Sequence, residues 1–487
     1  MRVRLVRLVL DDVRNIKHGA IIFDDLETGG SITGVYGQNG SGKTSVIDTL
    51  GILQHLMSGR KLFAGSSDLV NADTDTATIT ATYRITCKTG ETKYVEYSVT
   101  LTDRHADRVA RIDHETLRVG DNLDRMGRSL MEWDRPRKLP SYVWRSLLSI
   151  PDVRKDVDFF ERANRFEGAS FLFCSYQYLS QNSADGRLML DHFIDVAEEA
   201  TGLSERTTAF LKARLKPAAI LLQQLADHAG NDMHIPVVRF NNAGSECATT
   251  ISVGAGHRFS LNWMEPNIMD DDALKAAKET INTCNQLLPT LVPNLQLSLS
   301  ESPAPSDDQG TRRTKVEVMS SRGGGSFPFR NESEGIIRLV HLLPFLIRVY
   351  NNPDVLVAVD GIDAGLSEKL LGDTFSQLAS GIRGQLVFTA NNLRLFEILP
   401  DRCLRTTVVD SADRFSRVPK IRPTNNGRSV YRTAVDVGWN GPNLYEHAPA
   451  RMFANRLFLA GHPETVSRFP ESRPTSASPC TCSPPIM

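Results

Sequence analysis

The chain has 487 residues, of which 41% are hydrophobic and 23% charged, so it is long enough for two or three domains with a substantial core. Its 56 Lys and Arg residues nearly balance its 57 Asp and Glu residues, which excludes a global basic field for nucleic acid. No run is apolar enough for a membrane helix, the N-terminus is unlike a signal peptide, and the seven scattered cysteines indicate neither disulfides nor a zinc site. The sequence therefore predicts a cytoplasmic protein.

The first part of the chain has the pattern of strands that lead to a glycine-rich turn. Residues 2–10 alternate as a strand does, and we expect AIIF (20–23) to pair with them across a turn at 17–19. The stretch SITGVYGQNGSGKT (31–44) then combines an apolar strand with a turn that opens a helix at about 43–58.

This turn matches the phosphate-binding loop pattern G-x-x-x-x-G-K-[ST]. Its glycines allow backbone N–H groups to surround polyphosphate oxygens, and the following helix N-terminus favours an anion. Lys43 would reach the β- and γ-phosphates of ATP, and the Thr44 hydroxyl would bind Mg²⁺. An ordinary glycine turn is the alternative, but the strand, loop and helix that the motif requires are all present. We therefore predict that the nucleotide is bound by Gly37, Gln38, Asn39, Gly40, Ser41, Gly42, Lys43, Thr44 and Ser45.

The next region predicts an antiparallel layer and then a mainly helical segment. Three strand-like stretches fall within 77–119, with a hairpin turn at 88–90 between the first two. Short strands are expected near 235–262, a surface loop at 300–313 and a flexible joint at 318–327. Helical spacing of apolar residues occurs at 143–150, 187–203, 206–229 and 271–288.

Regular structure is predicted again from residue 334. The segment EGIIRLVHLLPFLIRVY is apolar on nearly every side, which predicts a buried helix kinked at Pro344. The continuous apolar run DVLVAVD (354–360) is typical of a central parallel strand, and GQLVFTA (384–390) predicts a second one after an intervening helix. The remaining predicted elements are short strands near 403–409 and 429–435 and a helix at 448–460.

Asp360 stands at the carboxyl end of VLVAVD. An acid at such a strand end, beside a phosphate loop, can hold Mg²⁺ through its water shell. A capping Asp in a strand-to-loop turn is the alternative. Because the same chain carries a phosphate loop, we predict that Thr44 and Asp360 form a metal site.

Three motifs follow the phosphate loop in a set order: the signature-like NESEG (331–335), then VAVDGIDAGL, then QLVFTANNLRLFE. This order resembles the ATP-binding-cassette class in its SMC/RecF-like branch, and in particular the AAA-family ATPases of bacterial defence and DNA-repair type. The opening stretch LVLDDVRNIKHGAIIF looks like the first strand pair of that branch, which usually has Phe where Val13 stands. The resemblance implies an α/β fold: an ABC/SMC-like P-loop NTPase head, with a mixed sheet flanked by helices, an antiparallel β lobe and a helical insertion.

The resemblance also implies a division of the chain. We expect residues 1–120 and 315–462 to be the N-terminal and C-terminal halves of the ATPase head. Residues 121–300 are expected to be a mainly helical insertion or lid. The Pro- and Ser-rich segment 463–487 is expected to be a disordered tail.

The resemblance assigns roles to further residues. Ser333 and Gly335 would contact the γ-phosphate of a nucleotide held by another copy, although a plain helix cap is the alternative. This implies a head-to-tail homodimer with two ATP molecules at its interface. Asp363 would lie in the loop that crosses between the two heads. Gln177 or Gln181 would couple the γ-phosphate to the lid, and ordinary polar loop residues are the alternative.

Two positions depart from the family pattern. Gly361 stands where the family has the glutamate that polarises the attacking water, and glycine cannot act as a general base. Asn391 stands where the family has a switch histidine, and an amide cannot carry a proton. Because general-base catalysis contributes about 10²- to 10⁴-fold in rate, we expect slow hydrolysis, with Asp363 as a substitute base. The predicted catalytic residues are Lys43, Asp360, Asp363 and Asn391.

The leading hypothesis is a cytoplasmic ATPase that dimerises on ATP and Mg²⁺ and acts in DNA transactions such as repair, or in antiphage defence. The alternative, which Gly361 and Asn391 favour, is a non-hydrolysing ATP-gated switch or scaffold that recruits an effector protein. A phosphate-loop kinase or GTPase fits poorly, because no N-K-x-D guanine motif follows the last strands. Local candidates for DNA contact are basic residues at 135–138 and 312–313 and the segment RFEGASF (165–171), for which solvated charge is the alternative.

Overall fold

The computed structural model contains two units. Met1–Tyr445 is one compact unit and Glu446–Met487 is the other. In the described part of the chain, no helix is both long and apolar enough to cross a membrane. The described residues are 1–102, 108–134, 146–158, 168–174, 188–199, 203–236, 248–253, 257–305, 312–409, 411–422, 424–438, 443–446, 453, 456–458 and 460.

In the first unit, groups of strands alternate with helices along the described part of the chain. The strands are β1 (Arg2–Val13), β2 (Ile16–Ile22), β3 (Ser31–Tyr36), β4 (Thr76–Thr86), β5 (Thr92–Thr102), β6 (Arg111–Asn122), β7 (Arg125–Asp134), β8 (Met233–His234), β9 (Ala248–Val253), β10 (His257–Asn262), β11 (Asn267–Met269), β12 (Leu295–Ala304), β13 (Arg313–Arg322), β14 (Ser326–Pro328), β15 (Leu356–Val359), β16 (Gln385–Thr389), β17 (Leu404–Thr407) and β18 (Phe415–Arg417). The main helices are α1 (Lys43–Met57), α2 (Met189–Glu199), α3 (Glu205–Asp227), α4 (Asp271–Leu291), α5 (Glu334–Asn351), α6 (Glu368–Gly381) and α7 (Gly427–Val437).

A six-stranded antiparallel sheet, in the order β2-β1-β4-β5-β6-β7, forms what we call the β lobe. The strands predicted within 77–119 are β4, β5 and β6, and the hairpin between the first two turns at 88–90 as expected. β7 was not predicted. It continues the β lobe past the expected boundary at residue 120.

The first hairpin of the β lobe shows that its turn was predicted in the wrong place. The chain reverses at Arg14 and Asn15, where Arg14 has a φ of 51°. Gly19 lies within β2, and a Cβ atom there would be 2.7 Å from the Phe415 ring. This glycine is therefore required by close packing, which sequence alone does not distinguish from a turn.

The main sheet has the order β18-β17-β3-β16-β15-β8, and its strands are parallel except for β18. Along β15, Leu356 and Ala358 pack into a core shared with the β lobe, α1 and α3. Val357 and Val359 pack into a second core beneath α5, α6 and α7. The strand is thus buried on both faces, which explains its continuous apolar run.

The segment 121–300 contains helices but is joined to both sheets. α2, α3 and α4 correspond to three of the predicted helical stretches, whereas only 146–150 of the stretch 143–150 is described. The segment also supplies β7 to the β lobe and β8 to the main sheet. Apolar residues of α3 pack into the core of the β lobe. The helices of this segment are therefore an integral part of the first unit.

A third sheet corrects two predicted irregular segments. Its strands have the order β11-β13-β12, with β14 paired to β13. The predicted loop at 300–313 is strand as far as Ala304 and again from Arg313, while 306–311 lie outside the described residues. The predicted joint at 318–327 is the hairpin from β13 to β14. Ser- and Pro-rich sequence was misleading because the outer half of β12 is largely exposed and tolerates polar residues.

The predicted strand at 429–435 is also wrong, because these residues lie in α7. The buried residues Gly427, Tyr431 and Ala434 recur at helical spacing, and the Asn426 side chain accepts a hydrogen bond from the Ser429 N–H at 3.2 Å. The buried helix predicted from residue 334 is α5, which runs through Pro344 as one helix.

In the second unit, the described residues are Glu446, 453, 456–458 and 460. Residues 453, 456–458 and 460 are helical, and they fall within the helix predicted at 448–460. Among them, Phe453, Leu457 and Phe458 are exposed. The predicted disordered tail at 463–487 lies outside the described residues.

Candidate functional site

The predicted phosphate loop joins the carboxyl end of β3 to the start of α1. Gly40 and Gly42 have φ values of 78° and 100°, a region that glycine enters without steric cost. At Gly37 the loop lies against the end of β17, since a Cβ atom there would be only 1.7 Å from the Thr407 hydroxyl. The glycines are therefore required both by the backbone conformation and by packing.

Lys43 is the first residue of α1, and its ammonium lies beneath the loop. Its Nζ donates to the carbonyl oxygens of Gly37 at 2.7 Å and Gln38 at 3.0 Å. Burial lowers the pKa of Lys43, and the carboxylates of Asp360 and Asp363 partly offset this shift. Both carboxylates are thus near enough to act on the ammonium electrostatically.

The start of α1 offers hydrogen-bond donors to an anion. In the described part of the chain, no side chain caps this 15-residue helix, and its first N–H groups have no partner within the helix. The buried Ser41 hydroxyl also has no hydrogen-bond partner among the described residues. The helix N-terminus carries a partial positive charge. Together these donors fit the phosphates of a nucleotide.

The first hairpin of the β lobe reaches the phosphate loop, a contact that sequence analysis missed. Asn15 donates through Nδ2 to the Gly40 carbonyl oxygen. Arg14 forms an ion pair with Asp48 of α1 at 2.8 Å and donates to the Ser45 hydroxyl at 3.5 Å. The contact was missed because the turn was predicted three residues too late. An Asn at the reversal, which tolerates turn conformations, is the signal that could have located it.

Thr44 and Asp360 lie side by side. The Thr44 hydroxyl is 3.2 and 3.1 Å from the two carboxylate oxygens of Asp360. A hydroxyl and a carboxylate are hard oxygen ligands of the kind that Mg²⁺ takes together with water. The two residues therefore fit a magnesium ion, which would be held between them and the nucleotide. That metal role stays a prediction.

Thr389, the last residue of β16, belongs to the same group, although sequence analysis passed over it. Its hydroxyl donates to Asp360 Oδ1 at 2.5 Å and accepts from the Gly361 N–H at 2.7 Å. It thus orients the carboxylate from the strand between β3 and β15. The available signal was a Thr at the carboxyl end of a parallel strand, because such ends share one edge of the sheet.

Gly361 has a φ of 56° immediately after Asp360. A residue with a side chain would be strained in this left-handed conformation by about 1–2 kcal/mol. The local backbone therefore favours glycine at position 361.

Asp363 is turned toward the end of β16. Its Oδ2 accepts hydrogen bonds from the N–H groups of Asn391 at 2.9 Å and Asn392 at 2.6 Å. These bonds tie the loop after Asp360 to the loop after β16. Asn391 is exposed, and it lines a cleft of about 750 Å³ beside Gln38. The positions permit the predicted catalytic roles of Asp363 and Asn391, which stay predictions.

Ser333 and Gly335 lie at the start of α5. Ser333 is exposed, and its hydroxyl makes no capping hydrogen bond to the helix within the described part of the chain. Gly335 packs backbone against backbone on Gly365, because a Cβ atom at 335 would be 2.0 Å from the Gly365 carbonyl oxygen. The predicted contact of Ser333 and Gly335 with the nucleotide of another copy stays a prediction.

The segment RFEGASF is described only from residue 168. Ser170 and Phe171 are buried, and they donate to the two carboxylate oxygens of Glu115 at 2.5 and 2.7 Å. These residues therefore belong to the interior of the β lobe, where they are neither a DNA-contact candidate nor solvated. Outside the described residues lie Gln177, Gln181 and 135–138.

No protein-family model matches the chain, and no curated protein sequence matches it. Among solved structures, the chain is similar to the Smc head domain with a coiled coil and joint from Pyrococcus yayanosii, at 12% identity and a TM-score of 0.37, over 89% of this chain and 99% of that one. It is similar to the SMC head domain from Thermotoga maritima, at 12% identity and a TM-score of 0.34, over 85% and 99% of the two chains. It is also similar to the recombination mediator protein RecF with ATP, at 10% identity and a TM-score of 0.34, over 80% and 94%. Similarity at this level carries no residue role to the present chain.

Proposed function

We propose that the chain is an SMC/RecF-like ATPase that binds ATP with Mg²⁺, hydrolyses it slowly, and forms a homodimer with ATP at the interface. The observation that carries this proposal is the meeting of Thr44 and Asp360 at the phosphate loop. The two residues come from distant parts of the chain. Their convergence beside Lys43 supports a nucleotide with its metal rather than a simple anion.

Different residues of the site would bind the phosphates and the metal ion of a bound nucleotide. The loop N–H groups and Lys43 would hold the phosphates, while Thr44 and Asp360 would hold Mg²⁺, which supplies charge neutralisation at the β- and γ-phosphates. Thr389 keeps the Asp360 carboxylate in one orientation. Because Gly361 offers no base, activation of water would fall to Asp363, and slow turnover follows.

The test is phosphate release from ATP by the purified chain, with Mg²⁺ and with EDTA. We expect slow turnover that requires Mg²⁺. Turnover that continues in EDTA would contradict the proposed metal site. If the chain binds ATP neither with Mg²⁺ nor in EDTA, the proposed function is overturned.

A second candidate function is a non-hydrolysing ATP-gated switch or scaffold that recruits an effector protein. The left-handed Gly361 and the exposed Asn391 favour it, because neither provides a base at the usual positions. Dimer formation on ATP without phosphate release would support the switch. Dimer formation with release would support the ATPase.

We expect Ser333→Arg to prevent ATP-induced dimerisation while ATP binding by the monomer stays within about twofold of the wild-type value. Ser333 is exposed at the start of α5, so a long cation there would clash with a facing copy without disturbing a core. The measurement is molecular mass by light scattering with and without ATP.

The matched control for this variant is Ser380→Arg, at an exposed serine near the end of α6. The control should dimerise as the wild type does. If Ser333→Arg also dimerises normally, the start of α5 does not face the partner.

The biological setting that we propose is the cytoplasm, with action in DNA transactions or antiphage defence and with DNA or an effector protein as the further partner. This part rests on the resemblance of the motifs alone.

A further inference from the structure

Arg338 is a buried cation close to the proposed metal site. It lies one turn into α5, and only 7% of its surface is exposed. Its Nη2 donates to the carbonyl oxygens of Asp360 at 2.5 Å and Gly361 at 2.7 Å. A guanidinium is costly to bury unless its donors find acceptors. Here the acceptors are the first two carbonyls after β15, so the cation is directed at the backbone that carries the predicted metal ligand.

The same two residues are held from the other side by Thr389. Its hydroxyl accepts from the Gly361 N–H and donates to the Asp360 carboxylate. The peptide between Asp360 and Gly361 is thus fixed by hydrogen bonds from α5 and from β16. Because Gly361 turns the chain sharply at a φ of 56°, the direction of the Asp360 side chain depends on how this peptide is held.

A second contact joins α5 to the same loop. The backbone at Gly335 touches that at Gly365, where a Cβ atom on residue 335 would be 2.0 Å from the carbonyl oxygen. Gly335 is two residues beyond Ser333, and Gly365 is five residues beyond Asp360. The start of α5 and the loop that follows β15 are therefore in contact at two points.

From these contacts we propose that Arg338 is a positioning residue for the metal site, which acts by fixing the backbone of Asp360. Through the hydrogen bonds of Arg338 and the packing of Gly335 on Gly365, the start of α5 contacts the loop that carries Asp360 in the same chain. This inference rests on the proposed function, because it requires that Asp360 bind Mg²⁺ with a nucleotide.

The test is Arg338→Met, which keeps an apolar stem of similar length and removes the donors. The probe is a fluorescent ATP analogue, titrated onto the full chain at increasing Mg²⁺ concentrations and in EDTA. We expect the Mg²⁺ concentration for half-maximal tightening of nucleotide binding to rise about tenfold, as loss of an outer-shell partner of a metal ligand typically produces. Affinity in EDTA should stay within about twofold, since the phosphate loop is untouched.

The matched control is Arg348→Met, at a half-buried arginine on the last turn of the same helix. It should leave the Mg²⁺ requirement unchanged. Thr389→Val removes the hydroxyl from the opposite side at constant shape and should raise the Mg²⁺ requirement as Arg338→Met does. If Arg338→Met does not fold, Arg338→Lys and Thr389→Val take its place. A raised Mg²⁺ requirement in both variants supports the inference, and an unchanged requirement in both contradicts it.

The outcomes separate the two proposals. An unchanged Mg²⁺ requirement in folded Arg338→Met overturns the positioning role while the proposed function stands. Equal loss of affinity with Mg²⁺ and in EDTA would mean that Arg338 only stabilises the fold. If the wild-type chain does not bind the analogue, or binds it without any effect of Mg²⁺, the proposed function fails and this role fails with it.

Discussion

Lys43→Ala is expected to weaken ATP binding at least about 100-fold and to abolish ATP-dependent dimerisation. The Lys43 ammonium lies beneath the phosphate loop, where it now donates to the Gly37 and Gln38 carbonyls. On binding, it would exchange these neutral acceptors for phosphate oxygens. A hydrogen bond that involves a charged group contributes about 1.5–3 kcal/mol, and each 1.4 kcal/mol is about tenfold in affinity. Loss of two such bonds therefore removes most of the affinity for phosphate.

The measurement is isothermal titration calorimetry with ATP and Mg²⁺, beside a thermal melt of each variant. Lys88→Ala is the matched control, because Lys88 is exposed at the hairpin turn of the β lobe. The control should bind ATP as the wild type does. Unchanged affinity in Lys43→Ala would mean that the loop at 37–44 is not the nucleotide site.

Asp360→Asn is expected to remove the effect of Mg²⁺ on ATP binding and to lower any turnover by about 100-fold or more, because it removes the charge that holds the metal. The amide keeps the shape of the carboxylate and can still accept from Thr44 and Thr389, so the surrounding backbone should be preserved. In EDTA, binding should match the wild type or be slightly tighter, since a negative charge near the phosphates is gone.

The measurement for this variant is ATP affinity with Mg²⁺ and in EDTA, and the control is Asp373→Asn. Asp373 is an exposed residue of α6 that forms an ion pair with Lys369 on the same helix at 2.8 Å. The control should keep the full effect of Mg²⁺. If Asp360→Asn keeps it as well, the metal is held elsewhere and Asp360 is only a structural residue of the turn.

Local patterns accounted for the parts of the site that are continuous in sequence. The phosphate loop needs glycines at set spacings, and their φ values are those the pattern requires. β15 and β16 were predictable because strands that are buried on both faces are apolar throughout. The phosphate-loop turn and the two buried strands each depend on a short stretch of sequence, so each can be predicted from that stretch alone.

The parts that sequence analysis missed depend on residues that meet only after folding. Thr389 and Arg338 converge on Asp360 from β16 and α5, and each alone is an ordinary residue in its element. Gly19 was taken for a turn because its real reason, the Phe415 ring, is far away in the sequence. In α7, a short stretch of mixed polar and apolar residues also fitted a strand. The burial of Tyr431 and Ala434 at helical spacing and the cap at Asn426 distinguish the helix, and both are seen in the structure.

The position of β3 in the main sheet has a consequence for synthesis of the chain. Its two neighbours, β16 and β17, both begin more than 300 residues after β3 in the sequence, at Gln385 and Leu404. Gln385 of β16 follows Tyr36 of β3 by about 350 residues, so a ribosome adding about 5–20 residues per second needs roughly 17–70 s to supply it. During that interval β3 has two unpaired edges, which are sites for wrong pairing and aggregation. A nascent chain that stops before Gln385 would therefore carry the phosphate-loop sequence without the neighbouring strands of its sheet.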